Sequence, residues 1–186
     1  MQNKETYKNQ DLVLKVDSNI DPVFLDLNKY EPFLDTLCVG REYQKEAISE
    51  AVKFLLSEKY KNTKDLAEEN YYSNETLQEK YPNEKAFYRT LPLAEKLNCS
   101  IDLATGTGKS YVMYGIAQIL LSEGAVDRVL VLCPSLTIED GLTEKFEELA
   151  SNKFLKELLP KGSKYDNPSI VNATETIEKG DICVEN

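Results

Sequence analysis

The residues Ala104-Thr105-Gly106-Thr107-Gly108-Lys109-Ser110 have the types and spacing needed to hold a chain of phosphates. They fit the P-loop pattern, with Ala104 in place of its first glycine. Gly106 and Gly108 let the backbone point successive N–H groups at one place. A helix beginning near Lys109 would add its positive end to the same pocket. Lys109 is the one catalytic candidate, a mobile cation for the β- and γ-phosphates. The Ser110 hydroxyl can ligate Mg²⁺, which keeps several of its waters. Thr105 and Thr107 belong to the same binding set. ATP and Mg²⁺ are thus the expected cofactors. The competing reading is a chance Gly-Thr-Gly turn. Context argues against it, because β-prone Cys99–Leu103 precedes the loop and an amphipathic helix follows.

A second group lies far upstream, at Arg41-Glu42-Tyr43-Gln44. A glutamine amide offers one acceptor and two donors, which match the N6 amino group and N7 of adenine. Gln44 would thereby select ATP over GTP. Taken alone, it reads as a surface residue in a helix's first turn. Coupled to the phosphate loop, the adenine reading gains.

Elements must position these groups. Tyr43–Leu56 has Ala47, Ile48, Ala51, Val52 and Leu55 at helical spacing, with Glu46, Glu50 and Lys53 opposite. Ahead of it, Asp11–Val16 alternates like a short strand. Val23–Cys38 reads as an irregular stretch and a short helix around Pro32, and Gly40 ends that unit. After the loop, Ser110–Ser122 places Val112, Met113, Ile116, Ala117 and Leu120 on one face, with Gly124 as its stop. Val129–Cys133 is a continuous apolar run, as in a parallel strand buried on both faces. Thr137 could cap a following helix, with Glu139 and Asp140 in its first turn. A short helix at Phe154–Leu159 and two strands near Ser169–Asn172 and Ile182–Val184 complete the pattern. The order β–loop–α–β–turn–α marks an α/β fold with a parallel sheet. Residues 1–30 are expected to form an N-terminal arm and 31–186 a lobe. Within that lobe, 59–98 is a polar helical insertion, rich in Glu, Lys, Asn and Tyr.

Composition narrows the classes. The chain has 186 residues, 41% of them hydrophobic, so a packed core is within reach. Its net charge of -10 argues against a surface that is one basic nucleic-acid cradle. A local strip stays possible, because fields act over about 8–10 Å. With no histidine, His-based metal sites and Ser-His-Asp triads are excluded. The 4 cysteines form no CxxC pair. Cys99 and Cys133 read as buried free thiols, which suits a reduced, cytoplasmic compartment. No apolar run approaches the roughly 20 residues that span a bilayer.

Three features together carry a resemblance. Arg-x-Tyr-Gln-x-Glu-Ala-Ile, then Ala-Thr-Gly-Thr-Gly-Lys-Ser, then a strand ending in Cys-Pro-Ser resemble a superfamily 2 helicase or translocase. With Ser169-Ile-Val-Asn-Ala-Thr and Asp181-Ile-Cys-Val-Glu-Asn, they resemble the Res subunit of type III restriction–modification enzymes. The resemblance implies a RecA-like P-loop lobe, incomplete at its C-terminus. It implies adenine reading by Gln44 and Arg41, and phosphate and Mg²⁺ binding by Gly106, Gly108, Lys109 and Ser110. It also implies contacts from Pro134, Ser135 and Thr137 to a DNA backbone, which position without reading sequence. From the residues alone, that stretch is equally a strand-to-helix turn. The implied parent couples ATP hydrolysis to DNA translocation and cleavage, with a modification subunit as partner.

A motor of this kind also needs an Asp-Glu pair after a buried strand and an arginine from a second lobe. No apolar strand followed by Asp-Glu occurs after residue 110, and Val184-Glu185 is a poor substitute. The expectation is a chain that stops partway through the first lobe, binds nucleotide weakly if at all, and does not hydrolyse it at a useful rate. Two alternatives remain: a P-loop kinase of small molecules, and a non-catalytic interaction module with a vestigial loop. The long stretch before the loop is awkward for a kinase.

Overall fold

The computed structural model describes residues 13–21, 23 and 25–186. In chain order the elements are α1 (Glu31–Cys38), α2 (Glu42–Leu56), α3 (Thr63–Ser73), α4 (Glu75–Lys80) and α5 (Glu84–Tyr88). There follow α6 (Lys109–Ser122), β1 (Val129–Leu132), α7 (Leu136–Ser151), α8 (Lys153–Glu157), β2 (Ile170–Val171) and β3 (Ile182–Glu185). The chain divides into two compact units. One holds residues 25–52 and 101–186, the other residues 53–100 with the described residues before 24. Among the described residues, no helix is long and apolar enough to cross a membrane.

The first unit is α/β. Its sheet is parallel, in the order β1-β3-β2, with Val129 opposite Ile182 and Ile170 opposite Ile182 on the other side. Parallel neighbours require crossovers, and α7 with α8 lies between β1 and β2 in the chain. Ile182, Cys183 and Val184 are buried, as a central strand demands. The strands expected near 169–172 and 182–184 therefore exist, and so does the helix near 154, one residue earlier at its start.

Helix α6 packs against α7 through Tyr114 and Phe146, whose rings meet edge-on at 5.5 Å. At Gly115 the helix comes close to α1 and α2. A Cβ there would lie 2.6 Å from Ile48 Cδ1 and 2.9 Å from Leu37 Cδ2. The 3-10 turn Leu27–Tyr30 precedes α1, and buried Tyr30 donates its hydroxyl to Glu123 at 2.6 Å. Burial and that carboxylate push the Tyr30 phenol far above its usual range. Pro32 sits in the first turn of α1, so it starts that helix rather than breaking it. Asp127 accepts from Tyr165 and Lys164 and pairs with Lys179. Those donors, Lys179 foremost, hold its carboxyl below the usual range.

Several expectations are corrected. Residues 99–103 form no strand, and Cys99 is exposed rather than buried. Their β-prone side chains need a partner ladder, and no strand of the β1-β3-β2 sheet pairs with them. β1 is covered on one face, so Val131 and, just past its end, Cys133 are buried, while Leu130 and Leu132 point the other way and stay largely exposed. On α6 the buried face includes Tyr114, Gln118 and Leu121, whereas Met113, Ile116 and Leu120 are half-buried. Gln118 lies inside because Tyr114, Ser122 and the Tyr165 carbonyl satisfy its amide. Ser135, not Thr137, occupies the N-cap of α7. Gly124 stops α6 as expected, and the Ala125 N–H reaches back to the Leu120 carbonyl.

The second unit is built from α3, α4 and α5. Asn62, Asn74 and Asn83 each accept a hydrogen bond from the backbone N–H three residues on. These are N-caps, which begin short helices by satisfying a free donor. Ala67, Tyr71, Leu77 and Phe87 form one apolar cluster, and Phe54, Tyr60 and Leu66 another. Residues 13–16 are not a strand. Asn70 holds them instead, taking the Lys15 N–H at 2.7 Å and giving to the Lys15 carbonyl at 2.8 Å. The rest of that expected strand, residues 11 and 12, lies outside the described residues, as does the polar start at 1–10.

Candidate nucleotide-binding site

The phosphate loop opens α6. Gly106 and Gly108 have φ values of +81° and +77°, the left-handed region that favours glycine. Gly108 is the N-cap of α6, and Lys109 its first residue. The first-turn N–H groups of a helix have no partner inside it, so the loop ends on a cluster of donors. The Ala104 carbonyl gathers the loop from the other side. It accepts the Thr107 hydroxyl at 2.6 Å and the Lys109 ammonium at 3.1 Å. Ala104, Thr105 and Lys109 are exposed, and Ser110 is half-buried.

The start of α2 lies against this loop. Gln44 is 0% exposed, and its Nε2 donates to the Thr107 carbonyl at 2.5 Å. Its Oε1 is buried with no partner. Tyr43 donates its hydroxyl to the same carbonyl at 3.1 Å. Two close approaches set this arrangement: Gln44 at Gly108, and one turn on, Ile48 at Gly115. The two helices therefore start side by side. Burial of Gln44 is a departure from a solvent-facing glutamine, since its amide nitrogen serves the loop. Arg41 is exposed and precedes α2.

Pro134, Ser135 and Thr137 are exposed at the turn from β1 into α7. The Ser135 hydroxyl makes no cap bond to the first turn of α7. Tyr43 was missing from the sequence expectations. Its hydroxyl could have been noticed as neighbour to Gln44, but nothing in the sequence shows that both meet one carbonyl.

Among the described residues, no group of three His, Cys, Asp or Glu gathers as a metal site. A Mg²⁺ ion here would use the Ser110 hydroxyl, phosphate oxygens and water. That oxygen-only donor set suits it.

The chain matches the family described as type III restriction enzyme, res subunit, over residues 37–185. No curated protein and no solved structure matches it.

Proposed function

The chain belongs to the family of the type III restriction enzyme res subunit, and from that premise we propose that it is an ATP-binding part of a DNA-dependent ATPase. Its α/β unit is a RecA-like P-loop lobe. We place that lobe in the unit of residues 25–52 and 101–186, with the helices between them as an insertion. The observation that carries the reading is the bond from Gln44 Nε2 to Thr107 O, which sets a base-reading side chain against the phosphate loop.

In this reading Gly106, Thr105, Thr107 and Gly108 cradle the phosphates, Lys109 neutralises their charge, and Ser110 ligates Mg²⁺. Arg41 and Gln44 face the base. Gln44 Oε1, which has no partner in the protein, is the acceptor left for the adenine 6-amino group. Pro134, Ser135 and Thr137 rest on a DNA backbone. The parent enzyme couples hydrolysis to translocation and cleavage of DNA, and a modification subunit supplies sequence recognition. The 186-residue chain binds nucleotide without turning it over. Hydrolysis needs an acidic pair to hold Mg²⁺ and an arginine to meet the developing charge, and no Asp-Glu pair follows residue 110.

Competition between ATP and GTP tests the base assignment. Wild type should favour ATP by about tenfold, the scale of leaving a buried polar atom unmatched. Gln44→Ala should lose that preference. Equal affinities for both nucleotides in both proteins would remove Gln44 from the base site.

A further inference from the structure

The Thr107 carbonyl receives two donors from neighbouring residues of α2, Gln44 Nε2 at 2.5 Å and the Tyr43 hydroxyl at 3.1 Å. A carbonyl oxygen has two lone pairs, so both are engaged. The described chain contains no cis peptide bond. A planar trans peptide sends its N–H opposite to its carbonyl. Holding Thr107 O toward α2 therefore aims the Gly108 N–H at the far side of the loop. That N–H sits at the N-cap of α6, among donors that favour an anion.

The fit is close. A Cβ on Gly108 would lie 2.5 Å from Gln44 Nε2 and 3.3 Å from Tyr111 Cδ2. Gln44 thus fills the space a side chain at 108 would need. Tyr43 is 42% exposed, so its ring adds little to the core. Its hydroxyl contact is what it offers the loop.

We propose that Tyr43 is a positioning residue for the phosphate loop, fixing with Gln44 the Thr107–Gly108 peptide so that the Gly108 N–H is presented to a phosphate oxygen. This rests on the phosphate-binding reading of Ala104–Ser110 and adds to it a residue that touches no phosphate itself. The peptide is oriented before the ligand arrives, which lowers the ordering cost of binding.

Tyr43→Phe in the full 186-residue chain tests it. Magnesium with inorganic tripolyphosphate is the probe, so base contacts play no part. Affinity should fall about three- to tenfold, the net worth of one hydrogen bond. The ligand-induced downfield shift of the Gly108 amide proton should shrink. Lys109→Ala serves as the control for the underlying reading. If wild type binds, Lys109→Ala does not, and Tyr43→Phe matches wild type in affinity and amide shift, the positioning role falls while the phosphate site stands. If wild type does not bind, both fall. The Gly108 shift decides whichever way the melting midpoint moves, because general loosening of the fold would leave the bound-state shift at its wild-type value.

Discussion

Lys109→Ala is expected to weaken binding of magnesium ATP by roughly thirty- to a hundredfold, the scale of a charge-assisted hydrogen bond to phosphate. Lys109 is the first residue of α6 and is exposed, so its loss leaves the core intact. Its ammonium rests on one neutral acceptor, the Ala104 carbonyl at 3.1 Å. Exchanging that carbonyl for a phosphate oxygen replaces a neutral partner with a charged one, which is the favourable direction. Lys109→Arg should not restore affinity. A planar guanidinium cannot follow the path of a compact ammonium on a flexible stem. Calorimetric titration gives the affinity, and an unchanged melting midpoint shows that the fold survived. Wild-type affinity in Lys109→Ala would mean that nucleotide, if bound, sits elsewhere.

Phe146→Ala should destabilise the α/β unit by about 3–5 kcal/mol, the cost of deleting a buried aromatic ring and leaving a cavity. Phe146 is 0% exposed, on α7, with its ring edge-on to Tyr114 of α6. It joins the helix that carries the phosphate loop to the helix that follows β1. A loss of that size is a large part of the 5–15 kcal/mol by which domains are ordinarily stable. Leu132→Ala is the matching control. Leu132 is 70% exposed on the edge strand, and its truncation should cost under about 0.5 kcal/mol. Denaturant titration of the two variants should separate them clearly. Similar costs would place the core on the other face of β1.

The site was more legible in the sequence than its support. Gly106 and Gly108 announce the loop because few other residue types permit φ near +80° beside a helix start, and Lys109 follows as that helix's first residue. The amphipathic α2 was readable for a similar reason, since Ile48, Ala51 and Val52 recur at helical spacing and are buried. What one residue's type cannot show is where its polar atoms find partners. Gln44 and Gln118 look like surface residues in a list, yet both are buried. Gln118 is satisfied within the unit, and Gln44 is half-satisfied by the loop. Strand propensity at 99–103 was equally incomplete information. A ladder depends on a neighbour that local sequence does not name. In the second unit the signal lies in the asparagines. Asn62, Asn74 and Asn83 read as polar composition in the sequence, and each is the cap that starts a helix.

The most direct test of the central claim is amide-resolved NMR of the isotopically labelled chain during titration with magnesium ATP. The largest shifts should fall on Thr105 to Ser110, with a second group at Gln44 and its neighbours on α2. Shifts confined to other parts of the chain, or none at saturating ATP, would contradict a nucleotide site at Ala104–Ser110.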